Sequence, residues 1–404
     1  MFLETQIEKK LADLQARGQL PLAIELWNGH RFAPAGNAPV TLRFPGTSAL
    51  KRLANPDLAA LGEAYVEGEV DIDGPIEEAF RGAERLVRGW GKALEGRLRG
   101  RLPRLSLHTR KLDSEAIKYH YDVSNDFYRL WLDAQMVYSC AYFKTGTEDI
   151  DTAQAQKLDH ICRKLRLAPG DRLLDIGCGW GALIVHAAQH YGVDATGITL
   201  SENQLATAAS RIAAAGLQQR CRVLLKDYRD LPGEERFNKI ASVGMFEHVG
   251  LKNLPEYFAT IHRLLAPGGI AMNHGITSAD TESREVGLGV GEFVQKYVFP
   301  HGELPHLSRV VKDMAEAKLE VMDVETLRLH YAMTLSHWSR RLEANLEAAR
   351  AHADERRTRI WRLYLAGCAH AFAQSWVTIH QVLAVKPADP AHNTLPWTRD
   401  YMYR

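Results

Sequence analysis

Three glycines alternate with other residues directly after a short apolar run, in the segment LLDIGCGWGAL at 173–183. Glycine is needed where the backbone takes unusual dihedral angles and approaches a ligand closely. The segment predicts a strand that ends in Asp175 and a tight turn through Gly177, Gly179 and Gly181 into a helix. Because open α/β sheets bind ligands at the carboxyl ends of their strands, the turn predicts a ligand site.

The spacing of these glycines narrows the class of ligand. It is G-x-G-x-G and not the G-x-G-x-x-G that is typical of dinucleotide sites. The closer turn leaves less room for a pyrophosphate and favours a nucleoside that carries an amino acid. A glycine turn alone is also compatible with a plain connection between a strand and a helix, so the surrounding elements have to decide.

The elements around the turn predict an α/β domain. From residue 173 onwards, short apolar runs alternate with helical patterns, which is typical of βαβ units and a mainly parallel sheet. We predict strands at 173–176, 194–199, 223–225, 239–243 and 269–274, helices at 182–190, 201–214 and 254–265, and two long helices within 333–382.

The first 112 residues have a mixed pattern, so we divide the chain into an N-terminal domain at 1–112 and a catalytic domain at 113–404. Two glycines, a proline and alternating arginines at 96–107 predict a linker rather than a helix. Within the N-terminal domain we predict helices at 3–14, 59–65 and 76–87 and a strand at 40–44.

The chain has 404 residues, 46% of them apolar, and 50 Lys and Arg against 49 Asp and Glu. This balance excludes a wholly basic nucleic-acid binder and an acidic disordered chain. The total conceals an acidic block at 57–78, with eight acids and no Lys or Arg, and a basic block at 81–111, with ten Lys and Arg against two acids. A solvated face is the usual interpretation of such a run, and a nucleic-acid patch is an alternative. Tryptophan and leucines interleave with the arginines, which also fits a segment on anionic lipid.

Cysteine usage and the first residues predict a cytoplasmic protein. The five cysteines are odd in number and never form a CxxC pair, which is typical of reduced thiols. Residues 1–10 carry four charges and no apolar core, so we expect no signal peptide. His186 and His190 have the i, i+4 spacing of zinc ligands, but the sequence has no HExxH and no third ligand nearby, so we expect no metal.

Six further motifs follow in order along the chain and are, as a set, more specific than the glycine turn. They resemble cyclopropane-fatty-acid synthases and their mycolic-acid relatives, a subfamily of class I S-adenosylmethionine (SAM) methyltransferases. The resemblance covers about 115–380, and 1–112 resemble the lipid-facing domain of the bacterial enzymes more weakly. The motifs are YHYDVSNDFY (119–128), YSCAYF (138–143), GITLSENQ (197–204), DYRD (227–230), SVGMFEHVG (242–250) and KYVFP (296–300).

The resemblance implies the fold and the SAM site. The fold would be that of class I SAM methyltransferases, α/β and Rossmann-like with a mostly parallel seven-stranded sheet, beside a smaller mixed N-terminal domain. The acid that usually ends the second strand is missing, and Thr199 and Gln204 would take its place. The implied SAM contacts are Tyr138, Ser139, Asp175, Gly177, Gly179, Gly181, Thr199, Leu200, Gln204, Asp227 and Tyr228.

The reaction that the resemblance implies is methylene transfer from SAM to the cis double bond of an acyl chain in a membrane phospholipid. An alkene needs no base to react, but it needs an apolar slot that excludes water and holds it near the methyl donor. The resulting carbocation closes a ring only when a base removes a proton from the transferred methyl group.

The resemblance implies bound bicarbonate as this base. The positions that match its ligands are Cys140, Glu247, His274, the backbone of Ile276, and Tyr331. Imidazole, phenol and N–H groups can donate to an oxyanion, and a carboxylate can accept the bicarbonate O–H. Each side chain alone also fits a structural role, Cys140 as a small buried hydrophobe for example.

Cys368 matches a cysteine once taken for a nucleophile in this family, and we include it among the catalytic candidates. A buried helix cysteine is the better interpretation, because methyl transfer to an alkene needs no covalent intermediate. Aromatic residues are candidates for the acyl slot or for the core, namely Phe127, Tyr142, Phe246, Tyr297, Phe299 and Trp338.

Two alternatives remain at this point. One is a relative that methylates an unsaturated chain without closing the ring, or that acts on a different lipid. The other is a nucleic-acid methyltransferase, which FEHVG disfavours because it replaces the acidic or Asn-Pro-Pro-type motif after the fourth strand. We expect as partners unsaturated phospholipid acyl chains, the inner membrane face as a peripheral contact, and no nucleic acid. The sequence does not decide the oligomeric state, and a homodimer, which is frequent in the family, is compatible with it.

Overall fold

Two separate β-sheets organise the chain. The computed structural model describes residues 2–54, 56–90, 124–233, 237–283, 287–300, 302–388 and 395–404. The N-terminal sheet has the order β2-β1-β3-β4, with β1 and β3 parallel and the other two pairs antiparallel. Its strands are β1 (Ala23–Glu25), β2 (Arg31–Phe32), β3 (Thr41–Arg43) and β4 (Asp71–Asp73), accompanied by α1 (Phe2–Ala16), α2 (Leu50–Ala54), α3 (Leu58–Val66) and α4 (Ile76–Gly89).

The larger sheet has seven strands in the order β10-β11-β9-β8-β5-β6-β7. The five adjacent strands β9, β8, β5, β6 and β7 are parallel to one another. Strand β11 is antiparallel to both of its neighbours, β9 and β10. This arrangement confirms the expected class I SAM-methyltransferase fold. The strands are β5 (Arg172–Ile176), β6 (Asp194–Thr199), β7 (Cys221–Leu225), β8 (Phe237–Val243), β9 (Leu265–Ser278), β10 (Glu320–Thr326) and β11 (Val377–Val385).

Helices pack on the larger sheet and follow the predicted alternation with its strands. Apolar side chains of α6 and α7 pack with β5 in one core cluster, and those of α9 and α11 pack with β8 and β9 in another. The helices are α5 (Asn125–Arg129), α6 (Ile150–Lys164), α7 (Ala182–Tyr191), α8 (Glu202–Ala214), α9 (Leu254–Leu264), α10 (Val290–Tyr297), α11 (Leu307–Glu316), α12 (Arg328–Ala344) and α13 (Leu346–Ala373).

The prediction of two helices across 333–382 is wrong in its last part. Both helices exist, but α13 ends at Ala373, and 377–382 belong to β11. Strand β11 lies between β9 and β10 and is buried along most of its length, so its sequence VTIHQVLAV lacks the alternation of a half-exposed strand. A short apolar run of this kind cannot be told from a buried helix by periodicity.

The acidic block lies against basic side chains of the larger domain. Asp71 pairs with Arg359 at 2.7 Å and Glu67 with Arg356 at 3.0 Å, both arginines being on α13. Beneath these pairs the Phe80 ring packs where a Cβ at Gly367 would lie, 2.9 Å away. Ion pairs and an apolar contact therefore both join the acidic block and its neighbour α4 to α13.

The domain boundary at 112, the linker at 96–107 and the basic block beyond residue 90 fall outside the described residues, so they stay predictions. Within the ranges that are described, no helix combines the length and the apolar character that a bilayer span requires.

Candidate active site

A cavity opens where β5, β6 and β8 end, at the carboxyl edge of the larger sheet. Ten of the eleven residues assigned to SAM line it, namely Tyr138, Ser139, Asp175, Gly177, Gly179, Thr199, Leu200, Gln204, Asp227 and Tyr228. Gly181 does not, and instead begins α7, where a Cβ would lie 2.9 Å from the Cβ of Ala208. The structure thus brings these residues together, and their contacts with SAM stay predictions.

The floor of the cavity is backbone. Gly177, Gly179 and Gly181 have φ values of 81°, 54° and 85°, in the left-handed region that favours glycine. The N–H groups of Gly177 and Cys178 donate to the Ile198 carbonyl at 3.0 and 2.9 Å, which ties the turn to the end of β6. A ligand can therefore approach the main chain without meeting a Cβ.

A hydroxyl and an amide occupy the position where the second strand usually has an acid. The Thr199 hydroxyl donates to the Gln204 side-chain oxygen at 2.7 Å, and Ser201 caps α8 by accepting from the Gln204 N–H. The Asp227 carboxylate is held by Arg229 at 2.6 and 2.9 Å. The region assigned to the ribose and the adenine therefore has a neutral pair and a compensated carboxylate.

Four of the five bicarbonate candidates meet in two pairs within the core, His274 pairs with neither, and none of the five is in the lining of the SAM cavity. Glu247 accepts the Ile276 N–H through Oε1 at 2.7 Å, so that backbone donor is already engaged. Cys140 and Tyr331 meet at the carbonyl of Leu327, which lies 3.8 Å from the Cys140 Sγ and accepts the Tyr331 N–H. Cys140, Tyr331 and Ile276 share one hydrophobic cluster.

Two buried polar atoms of this set have no hydrogen-bond partner among the described residues: Glu247 Oε2 and His274 Nε2. Unpaired buried polar atoms are costly and rare, so such a pair points to a small polar group that the protein binds. The residues present therefore fit a small oxyanion with an O–H, as bicarbonate is.

Burial disfavours the charged forms of the ionisable groups among these candidates. It raises the pKa of Glu247 to about 7 and holds the pKa of His274 well below its ordinary value. It raises the pKa of the Cys368 thiol to about 12, and that of the Cys140 thiol further still. Neither cysteine is a thiolate at neutral pH, which argues against a nucleophilic role for Cys368.

Gln381 is a residue of this site that the sequence did not reveal. It stands opposite His274 in the pairing of β11 with β9, and its Nε2 lies 3.0 Å from His274 Nδ1. An amide that donates to Nδ1 leaves the imidazole hydrogen on Nε2, which makes the unpaired Nε2 a donor. The signal was hidden because β11 was predicted as helix.

The aromatic candidates for the acyl slot differ in their surroundings. Phe127 and Trp338 are fully buried, and the ring of Phe246 fills the space that a Cβ at Gly275 would need. Tyr142 stacks between two histidine rings, and Tyr297 packs on Phe293. Two candidates lie beside a cavity residue: the Phe299 ring is 5.2 Å from that of His248, and the Trp338 ring is 5.4 Å from that of Tyr138.

The two histidines at zinc spacing lie on α7, with ring centroids 4.5 Å apart. His186 approaches Asp159 at 3.9 Å. In the described parts of the chain, no three potential ligands gather in a geometry that would hold a metal ion.

Comparison with known proteins identifies the family and the relatives that this chain resembles. Residues 108–382 match the family described as mycolic acid cyclopropane synthetase, and residues 12–86 match a domain of unknown function. A "probable fatty acid methyltransferase" of Pseudomonas putida is 50% identical over 95% of this chain and 97% of its own length. The cyclopropane-fatty-acyl-phospholipid synthase of Escherichia coli K12 is 35% identical over 90% of this chain and 92% of its own.

A solved structure is similar as well. The mycolic acid cyclopropane synthase CmaA1, in complex with SAH and CTAB, has a TM-score of 0.65 and 34% identity. The match covers 69% of this chain and 99% of that one.

The Gln381 contact makes a prediction about His274. In ¹⁵N-histidine-labelled protein we expect the neutral tautomer with hydrogen on Nε2, and in Gln381→Glu the hydrogen on Nδ1, because a carboxylate can only accept. Nitrogen chemical shifts report the tautomer, with His274→Asn to assign the signals and Gln381→Met as a control that removes the contact. An Nδ1–H tautomer in the wild type would contradict the assignment.

The raised pKa of Glu247 predicts a pH-dependent cost in stability. Between its ordinary value of 4.5 and about 7, the unfolded chain loses the proton and the folded chain keeps it. Folding is therefore disfavoured progressively as pH rises through this window, by up to about 3 kcal/mol. Glu247→Gln lacks this penalty, so its advantage in free energy of unfolding should grow with pH and level off above about pH 8.

Urea denaturation at several pH values measures this difference. The exposed Glu256→Gln is the matched control, in which no such growth is expected. A constant difference between Glu247→Gln and the wild type across the window would contradict a buried, protonated Glu247.

Proposed function

The chain belongs to the mycolic acid cyclopropane synthetase family, whose members carry out SAM-dependent methyl transfer to lipids, and from that premise we propose its reaction. It transfers a methylene group from SAM to the cis double bond of an unsaturated acyl chain in a membrane phospholipid and closes a cyclopropane ring. The observation that carries this proposal is that two buried atoms, Glu247 Oε2 and His274 Nε2, are unpaired, while Ile276, whose N–H binds Glu247, packs against an aromatic core cluster.

The proposed chemistry divides between the bound molecules and the chain. SAM, when bound, supplies an electrophilic methyl group, and bicarbonate supplies a weak base that is poorly methylated. The chain has to orient the alkene, exclude water and hold the base at the transferred methyl. Glu247 and His274 would hold it, with Cys140 and Tyr331 on the neighbouring wall.

A reacting methyl donor also needs walls that it cannot methylate. Tyr138 lines the cavity and lies in an aromatic cluster, with its ring 5.4 to 5.8 Å from those of Tyr128, Trp131 and Trp338. Burial holds the pKa of the Tyr138 phenol well above its ordinary value, so it remains a neutral phenol. Neutral aromatic faces stabilise a nearby cation without trapping it.

A second candidate function is methylation without ring closure. The relative from Pseudomonas putida, named a probable fatty acid methyltransferase, favours it at 50% identity. The same carbocation would then lose a proton from the acyl chain instead of from the transferred methyl. Both reactions need a base, and they differ in the proton that it removes: ring closure requires the base to reach the transferred methyl group.

The proposal predicts an acyl product. With SAM and vesicles of phospholipids that contain cis-unsaturated chains, we expect acyl chains that gain one CH₂ and lose the double bond. Mass spectrometry detects the added CH₂, and a chemical test for unsaturation detects the loss of the double bond. In Glu247→Gln we expect at least about a hundredfold lower turnover with SAM affinity within about twofold, because the base that Glu247 would hold is then lost from the site.

The controls separate the outcomes. Saturated vesicles should give no product, and the exposed Glu256→Gln should match the wild type. No acyl change on any unsaturated phospholipid would contradict the proposal, a mass gain with the double bond retained would support the second candidate, and near-normal activity of Glu247→Gln would remove its role.

A further inference from the structure

The motif YSCAYF at 138–143 is described in full and lies in neither a helix nor a strand. The segment is nevertheless largely buried, with Cys140 and Ala141 at 0% exposure and Phe143 at 5%. Buried N–H groups need hydrogen-bond partners, and a segment without a neighbouring strand has to find them on side chains or on single carbonyls. The partners of this segment therefore decide where its side chains lie.

Two side chains of α12 bind alternate N–H groups of the segment. The Ala141 N–H donates to the Thr334 hydroxyl at 3.0 Å, and the Phe143 N–H donates to His330 Nδ1 at 3.0 Å. His330 and Thr334 are four residues apart, so they lie on one face of the helix. The Thr334 hydroxyl in turn donates to the His330 carbonyl at 2.7 Å, which orients its oxygen.

The segment carries residues of both candidate sites. Tyr138 and Ser139 line the SAM cavity, and Cys140 meets Tyr331 at the carbonyl of Leu327. Because Tyr331 directly follows the α12 histidine, one helical turn presents one oxyanion candidate and holds the backbone that carries another. A shift of this backbone would move the cavity wall and Cys140 together.

The acceptor role requires a neutral imidazole. His330 Nδ1 can accept the Phe143 N–H only when it has no hydrogen of its own, so the neutral ring has its hydrogen on Nε2. An imidazolium has hydrogen on both nitrogens and loses the bond. The position of the segment therefore depends on the protonation state of one side chain.

We propose that His330 and Thr334 are positioning residues that fix the YSCAYF segment between the two candidate sites, and that His330 does so only as a neutral imidazole. Neither is among the residues that line the SAM cavity, so both act through the segment. The inference rests on the proposed function, since the placement of Cys140 beside Tyr331 matters for turnover only if that reaction occurs.

The surroundings of His330 favour its neutral form at neutral pH. Burial lowers its pKa from the ordinary value of 6.5. Its titratable neighbours are Tyr142 and Glu148 from the chain before α6, His160 from α6 and Glu325 from β10. The two carboxylates partly oppose the effect of burial, and His160 adds to it. As pH falls below 6.5 and through the lower pKa of the folded state, His330 gains a proton and the bond to the segment is lost.

Turnover on vesicles of unsaturated phospholipid at several pH values tests the proposal. His330→Asn keeps an acceptor close to the Nδ1 position and does not titrate, whereas His330→Leu has no acceptor. At about pH 7.5 we expect His330→Leu to lower turnover at least about tenfold and His330→Asn less than about threefold. Towards about pH 5, turnover of His330→Asn relative to the wild type should rise at least about twofold, because only the wild type loses the bond. Both proteins meet the same bicarbonate concentration, so its protonation cancels in this ratio.

His337→Asn is the matched control. His337 lies about two turns further along α12 and stacks on the Phe143 ring at 5.6 Å, without a hydrogen bond to the segment among the described residues. This variant should keep the wild-type pH profile. Wild-type turnover in His330→Leu, or a profile of His330→Asn parallel to that of the wild type, would overturn the proposal.

Hydrogen exchange provides a readout that needs no turnover. At about pH 7.5 the amides of 141–143 should exchange faster in His330→Leu than in the wild type, while His330→Asn keeps the wild-type rate. Urea denaturation confirms that each variant is folded, and the comparison of His330→Asn with the wild type decides if His330→Leu is not. Unchanged exchange in folded His330→Leu would overturn the positioning role. The expected exchange without any turnover by the wild type would instead contradict the proposed function.

Discussion

The burial of polar groups beside a reactive cation is the constraint on which the candidate site depends. A carbocation on an acyl chain reacts with water, thiolate, phenolate or free carboxylate, yet ring closure needs a base within reach. In the proposed reaction, the chain would meet both demands by burying these polar groups in hydrogen-bonded or uncharged form. Glu247 is tied through one oxygen to the Ile276 N–H, His274 is tied through Nδ1 to Gln381, and Cys140 remains a thiol.

The register of the strand pairing in the larger sheet sets the positions of these residues. The pairing of β9 with β11 sets His274 opposite Gln381 and Ile276 opposite Ile379, whose carbonyl accepts the N–H of Leu327. Leu327 begins α12 and brings Tyr331 towards Cys140. One antiparallel strand thus links the groups of the proposed oxyanion site, while the parallel strands on its other side present the glycine turn and the cavity.

The sequence was sufficient for the fold and for ten residues of the cavity, because both depend on local patterns. The glycine turn, the alternating strands and helices, and ten cavity residues follow from motifs read along the chain. Gln381 and His330 could not be found in this way. Gln381 acts through a partner 107 residues away, on a strand whose continuous apolar pattern resembles a helix. His330 is one of 17 histidines in the chain, and only folding brings it to the N–H of Phe143, 187 residues before it. The acidic block was visible, but its pairing with α13 depends on the approach of two domains.

The fate of the transferred hydrogens tests the central claim most directly, because ring closure requires the base to take a proton from the new methyl group. The measurement is mass spectrometry of acyl chains after reaction of unsaturated phospholipid vesicles with SAM that has a fully deuterated methyl group. The account predicts a product that keeps two of the three deuterium atoms and has no double bond. A product that keeps all three deuterium atoms together with a double bond would contradict it.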